Sequence, residues 1–568
     1  NFADDAIIKD AGDTYLVDTG IYKVRIGKTN PGIRYIGNKT VNFLGDYGLY
    51  YDYLKISWGI GPYQEEVNGW ALHEISFPTV ILGRNQIIYK TILKNVEGTE
   101  NWATLTVKYS FFEKAMKREI IISNDWINSD MYVDVTMGYF SPLRYFYFQL
   151  DDNPPKKRTV YPCEDEVTLR KLKFNRMFIN NGVEGIYIKF ENTAPYPNAI
   201  TYTGLTDLNY SYYTVSMHLD DVLSPAESMH ITQWISIGDD KTARNNVEHY
   251  TSVSLYPHPR GEIPIILMSR IDAKGNLTDV LGTHERFKDM GVVNYTEAVD
   301  IQELDDNKLS KLRDYDIVDI VGLIKAENIT EEQIKRIKIN AQEHGIKIRG
   351  IIPKGLHYDL NAVKVLSNEN ITFILSEKIP PAFDIYYQEG MRRPKRAYYH
   401  GEQNDVILMP ISEPIIGGPT YFYDDYAEAW KAVIDSAIRY DDMVIFLWDS
   451  DKACNPVYLN DTVSVIKYAK DKGLTFTTPY EVAKYFQLLK NIYALVSMNE
   501  DGGEIRISIE NRNKEAVNGV TVRVKASGNM EVNGGKIIRE RQLGNNYFYY
   551  VSVDLNPLEK KEIYLRLS

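Results

Sequence analysis

The feature that most constrains this chain is a change of period close to its midpoint. Before about Tyr256 apolar residues recur every second position. "IYKVRIGKT" (21–29), "QIIYKTILKNV" (86–96), "ATLTVKYSFF" (103–112), "KREIIISND" (117–125) and "YVDVTMGYF" (132–140) alternate or run apolar between Gly, Asn and Asp. Period two over so many segments predicts a large antiparallel β domain of packed sheets over residues 1–256.

"LYPHPRGE" (255–262), with two prolines and a glycine, marks the break. After it, short apolar runs alternate with helical stretches: "IPIILMS" (263–269), "YDIVDIVGLI" (315–324), "IKIRGII" (346–352), "ITFILS" (371–376), "DVILMPI" (405–411), "MVIFLW" (443–448) and "LTFTT" (474–478). Thr330 and Gln333 make a capping box before Ile334 and Ile337, and Gly345 ends that helix. Thr478, Pro479 and Glu481 open another helix, which carries Val482, Phe486 and Leu489. Such alternation predicts a mostly parallel β/α sheet or barrel over 262–490. Strand patterning returns in "EIRISIEN", "GVTVRVKAS", "YFYYVSVDL" and "KEIYLRL", predicting a small β-sandwich over 491–568.

A chain of 568 residues is expected to hold several domains, and 44% apolar with 25% charged residues is ordinary for a globular protein. The formal net charge of -12 argues against nucleic acid as a partner. No apolar run is long enough to span a bilayer, so a soluble or peripherally held protein is expected. Asn1 in place of Met fits a removed leader or a trimmed chain. Sequons begin at Asn38, Asn209, Asn276, Asn294, Asn328, Asn370 and Asn460, and with 43 Tyr they point to an extracellular or cell-surface setting and a glycoprotein. Cys163 and Cys454 fit no metal spacing; an interdomain disulfide and two buried thiols both stay open.

The order of segments in the middle region resembles the polysaccharide deacetylase (NodB-like) superfamily, a distorted (β/α) barrel. "RIDAKG" stands where that family has an Asp-Asp-Gly turn, and "ERFKDMGVVNYT" (285–296) is similar to the helix and strand that follow. "EEQIKRIKINAQEHGIKIRGIIPKGLHYDLNAVKVL" (331–366), "VILMPIS" (406–412) and "YAKDKGLTFTTPYEVAKYF" (468–486) resemble its later elements. The family's chemistry is not matched residue by residue. Ile271 replaces the first aspartate and Asp272 matches the second; no His-x-x-x-His occurs, Ile352 stands for the catalytic arginine, and Trp448 or Asp449 for the late histidine. One carboxylate cannot hold a zinc ion, which takes about three protein ligands, so no metal or other cofactor is expected and metal-dependent deacetylation is disfavoured.

In parallel β/α barrels the residues just past the strands line the cleft. Those positions give Asp272, Lys325, Glu327, Lys354, His357, Tyr358, Glu377, Glu413, Asp449 and Asp451. Glycoside hydrolysis needs two carboxyl groups, one protonated and one ionised. Asp272, Glu377, Glu413 and Asp449 are the expected catalytic set. Trp448 is expected as a sugar-stacking platform, with Lys354, His357, Tyr358 and Asp451 binding substrate. A β supersandwich, a barrel and a sandwich in series is also similar to multi-domain glycoside hydrolases. Two functions stay open: an extracellular polysaccharide-processing enzyme of glycoside hydrolase type, placed slightly ahead for its polar rim, and a non-catalytic surface, structural or glycan-binding protein with a degenerate barrel. The expected partner is a glycan, with a homo-oligomer or surface assembly also open.

Overall fold

A computed structural model describes residues 7–39, 42–44, 51–59, 67–71, 78–95, 97–127, 129–151, 153–191, 196–207, 210–271, 277–314, 319–324, 329–377, 393–412, 425–449, 455–498, 503–526, 528–543 and 546–567. The first part of the chain forms a five-stranded, a nine-stranded and a six-stranded sheet. Their strands are antiparallel, as in Val107 opposite Ile120 and Val135 opposite Ile56. The period read from the sequence fixes which side chains enter the shared core. Val133, Val135 and Met137 are buried there, while Tyr132, Asp134 and Thr136 lie on the other face. The five-stranded sheet joins the same core through Val17, Val24 and Ile26.

This β region also contains a helix that the strand pattern hides, Asp240–Thr251. Asp239 caps it by accepting the Thr242 N–H at 3.0 Å, and Ala243, Val247 and Thr251 form its buried stripe. Only three of its residues are buried, so the apolar signal is faint.

The middle region is a nine-stranded sheet with helices outside it. Its parallel strands run Pro264–Ile271, Thr296–Val299, Asp319–Ile324, Gly350–Pro353, Phe373–Glu377, Glu402–Ile411 and Val444–Asp449. The Ser412 N–H donates to the Ile445 carbonyl at 2.9 Å, and the Ile445 N–H donates to Ser412 Oγ at 3.1 Å. These bonds join the two ends of the parallel row. Alternate residues face inward, giving a core of Ile266, Met268, Val321, Leu323, Phe373 and Met409. Gly350 is required beside Phe373, because a Cβ there would come within 2.0 Å of the Phe373 ring.

Of the two expected capping boxes, the one at Thr330 is seen in its N-cap half and the one at Thr478 in full. Thr330 accepts the Gln333 N–H at 3.2 Å, and Gly345, at φ +73°, closes a Schellman turn in which the Ile346 N–H donates to the Ala341 carbonyl at 2.8 Å. Thr478 and Glu481 form a reciprocal capping box.

Two four-stranded sheets around Ile507, Val522, Val551 and Ile563 complete the described chain. One of them recruits Val253–Leu255, which pairs with Val517–Ala526. Among the described residues, no helix is long and apolar enough to cross a membrane. Cys163 is a free, exposed cysteine, so neither open reading fits it; Cys454 lies outside the described residues.

Candidate functional site at the carboxyl end of the parallel strands

The parallel strands deliver their last residues to one end of the β/α layer. At Pro264–Ile271, Arg270 is in register with Ala298 on one side and with Asp449 on the other. Asp300 follows the next strand, its N–H donating to the Ile271 carbonyl at 3.3 Å and its carboxylate accepting the Gln302 N–H at 3.1 Å. Lys354 follows Gly350–Pro353, and its N–H extends the ladder to the Ile324 carbonyl at 2.6 Å.

The Lys354 side chain reaches past the intervening strand. Its ammonium lies 2.5 Å from Asp300 Oδ2 and 3.2 Å from Glu303 Oε1. Partial burial works against its charge, but hydrogen bonds to Asp300 and Glu303 outweigh it and hold Lys354 above the usual lysine range. Asp300 is buried and Glu303 half-exposed, so the group has one sheltered and one accessible carboxylate.

Lys354 is thus a sequence-selected residue that the structure places at the rim. Its partners Asp300 and Glu303, and Arg270, were not singled out from the sequence. The rule applied to the other strands would have found Asp300, but its strand, Thr296–Val299, is short and carries Glu297 in place of an apolar residue.

The other candidates divide. His357 is exposed. Tyr358 is buried, not open to a substrate, and the chain beside it docks on the β region, where the Leu360 N–H donates to the Ile127 carbonyl at 2.9 Å. Burial, then the nearby Glu227 and Asp130, hold the Tyr358 phenol well above its ordinary range against a hydrogen bond with Ser376.

Trp448 does not provide a stacking platform. It is 0% exposed, and Phe287, Tyr295 and Trp430 pack around it with ring centroids 6.2, 6.1 and 5.8 Å away. Strand parity is the reason: Ile445 and Leu447 face the interior of the strand row, so Phe446 and Trp448 face the helices.

Asp272, Lys325, Glu327, Glu413 and Asp451 lie outside the described residues. For Glu377 and Asp449 the backbone is described, in register with Ile411 and Arg270. Among the described residues, no group of three or more His, Cys, Asp or Glu is arranged to hold a metal ion. Ile271 and Ile352 are fully buried packing residues.

Behind the rim, Glu297 is fully buried between two elements. It accepts from Ser269 Oγ at 2.6 Å and meets His284 Nε2 at 2.7 Å, tying the first parallel strand to helix Leu277–Asp289. Burial raises its pKa, opposed by His284 and Ser269.

No protein-family model and no curated protein sequence matches the chain. Among solved structures, a galactose mutarotase-like protein from Lactobacillus casei ATCC 334 is similar at 9% identity and TM-score 0.30, over 39% of this chain and 99% of that one. A protein from Pseudomonas aeruginosa PAO1 described as a probable polysaccharide deacetylase aligns at 12% identity and TM-score 0.31, over 40% of this chain and 93% of its own. The Xyl-CE4 domain of a multidomain xylanase from the hindgut metagenome of Trinervitermes trinervoides aligns at 12% identity and TM-score 0.24, over 39% and 90%. Likenesses of this size leave the functional reading to rest on the chain's own residues.

Proposed function

We propose that this is an extracellular carbohydrate-active protein that processes a polysaccharide at the carboxyl end of its parallel strands, by hydrolysis of glycosidic bonds. The carrying observation is the meeting of Asp300, Glu303 and Lys354 at that end. It is also the end to which the backbone of Glu377 and Asp449 belongs. The order of segments shared with the polysaccharide deacetylase barrel supports the same reading.

In this proposal Asp272, Glu377, Glu413 and Asp449 supply the acid and the base, and Lys354, His357 and Asp451 contact the sugar. Asp300 and Glu303 anchor Lys354, whose ammonium donates to sugar hydroxyls. Hydrolysis then needs one carboxyl group to protonate the leaving oxygen while another attacks or activates water.

The test is product detection on a broad polysaccharide panel with the full chain. A reproducible new reducing end supports the proposal; absence of product across the panel contradicts it.

A second reading is a surface or glycan-binding protein with a barrel that has lost its chemistry. Ile271 and Ile352 favour it, since each fills with buried hydrocarbon a position where the resembling family keeps a functional side chain. That reading predicts glycan binding or self-assembly without turnover.

A further inference from the structure

The face of the six-stranded sheet turned away from the core carries a second polar constellation, at the centre of the sheet. Strands Met131–Ser141 and Tyr210–Leu223 are neighbours there, and their register sets Asp134 directly opposite Asp220 and Thr136 directly opposite His218. Lys55 and Ser57 flank the pair on the next strand, and Thr201 lies on the strand beyond His218.

These groups are joined by hydrogen bonds. Thr136 Oγ1 is 3.4 Å from Asp134 Oδ1 and 3.0 Å from His218 Nδ1, while His218 Nε2 is 2.8 Å from Thr201 Oγ1. The Asn198 amide donates to Asp220. The chain of contacts thus crosses three strands on one face.

An ordinary solvated sheet face does not require this arrangement. Carboxylates directly opposite on adjacent strands, with Cβ atoms about 5 Å apart, repel and destabilise a sheet. Burial, then Asp220, push the Asp134 carboxyl up to about 6 against Thr136 and Lys55. Burial, then the same two aspartates, raise the Tyr132 phenol. Burial and Arg170 lower the His218 pKa against Glu166, favouring a neutral imidazole. A cluster of carboxylates, imidazole, phenol and hydroxyls with such shifts is a recognised mark of a binding or reacting site.

The chemistry selects the ligand. A phosphate or other anion is repelled by the paired carboxylates, and no metal-holding group occurs among the described residues. A neutral ligand with several adjacent hydroxyls can donate to both aspartates and so offset their repulsion, accept from Tyr132 and Lys55, and lay its C–H face on the Tyr132 ring. We propose that Tyr132, Asp134, Thr136, His218 and Asp220 form a saccharide-binding site on this sheet, separate from the end of the parallel strands.

The test is calorimetric titration of the full chain with D-glucose, D-galactose, N-acetyl-D-glucosamine and cellobiose. At least one sugar binds the wild type, and Asp134→Asn and Asp220→Asn each weaken that binding at least tenfold. Thr136→Val, which keeps both charges, weakens binding by a smaller factor, and melting curves confirm that each variant is folded. No sugar binding by the wild type overturns the proposal, as does binding unchanged in both aspartate variants. Binding lost in Asp300→Asn but kept in Asp134→Asn also overturns it, while leaving the rim reading intact.

Discussion

Asp441 accepts a hydrogen bond from Arg539 at 2.6 Å, joining the β/α layer to the C-terminal sandwich. Asp441 is the left-handed cap, at φ 55°, of helix Tyr426–Tyr440, and it also accepts from Tyr550 at 2.8 Å and from Tyr256 at 3.2 Å. Burial opposes its charge, but Arg539 and Arg523 hold its carboxyl below the usual range. Removing Arg539 takes away the nearest cation and leaves the buried carboxylate to Arg523, Tyr550 and Tyr256, at a cost of about 2 kcal/mol. Arg539→Ala is therefore expected to lower the melting temperature and to split one calorimetric transition into two; a single unshifted transition contradicts the coupling.

Glu248 makes a comparable junction that can be read by pH. It pairs with Arg176 at 3.3 Å, with Lys189 at 3.2 Å and with Lys525 of the C-terminal sandwich at 3.7 Å. Burial raises its pKa, but the three cations outweigh that and bring it down to about 2. A folded pKa below the unfolded one gives stability that is full above about pH 4.5 and is lost as pH falls toward 2. The contribution is at most about 3 kcal/mol. Glu248→Gln is expected to be less stable than wild type at pH 6, with the difference shrinking in denaturant titrations toward pH 3.

At the rim, Lys354 and Asp300 act as a unit. Lys354→Met leaves a buried carboxylate without its cation, and Asp300→Asn removes the attraction from the other side. In a double-mutant cycle the pair is expected to couple by at least about 1 kcal/mol in unfolding free energy. Additive single effects contradict a formed pair.

Trp448 tests strand parity. Trp448→Ala empties a fully buried site and is expected to cost about 3 to 5 kcal/mol. Its effect on glycan affinity, measured where the variant is folded, is expected to be small; a large affinity loss without destabilisation contradicts its burial.

The parts of the fold legible in the sequence were those with a strong local period. Val133, Val135 and Met137 announce their strand, and Thr478 with Glu481 announces a helix, because both signals are short-range. Helix Asp240–Thr251 was missed because its buried stripe is small and its neighbours are strands. Lys354 was found by its place after a strand, whereas its partnership with Asp300 depends on which strands are neighbours. Trp448 shows the same limit, since its residue type fits a sugar platform and only register reveals that it faces the helices. Asp134 and Asp220 are 86 positions apart and become a pair only through antiparallel register.

Glycan hydrolysis by carboxylates at the carboxyl end of the parallel strands is decided by turnover of an accepted polysaccharide with Asp272→Asn and Asp449→Asn, melting temperatures being recorded alongside. Each substitution is expected to abolish turnover while the melting temperature stays nearly unchanged. Full turnover in both variants contradicts it.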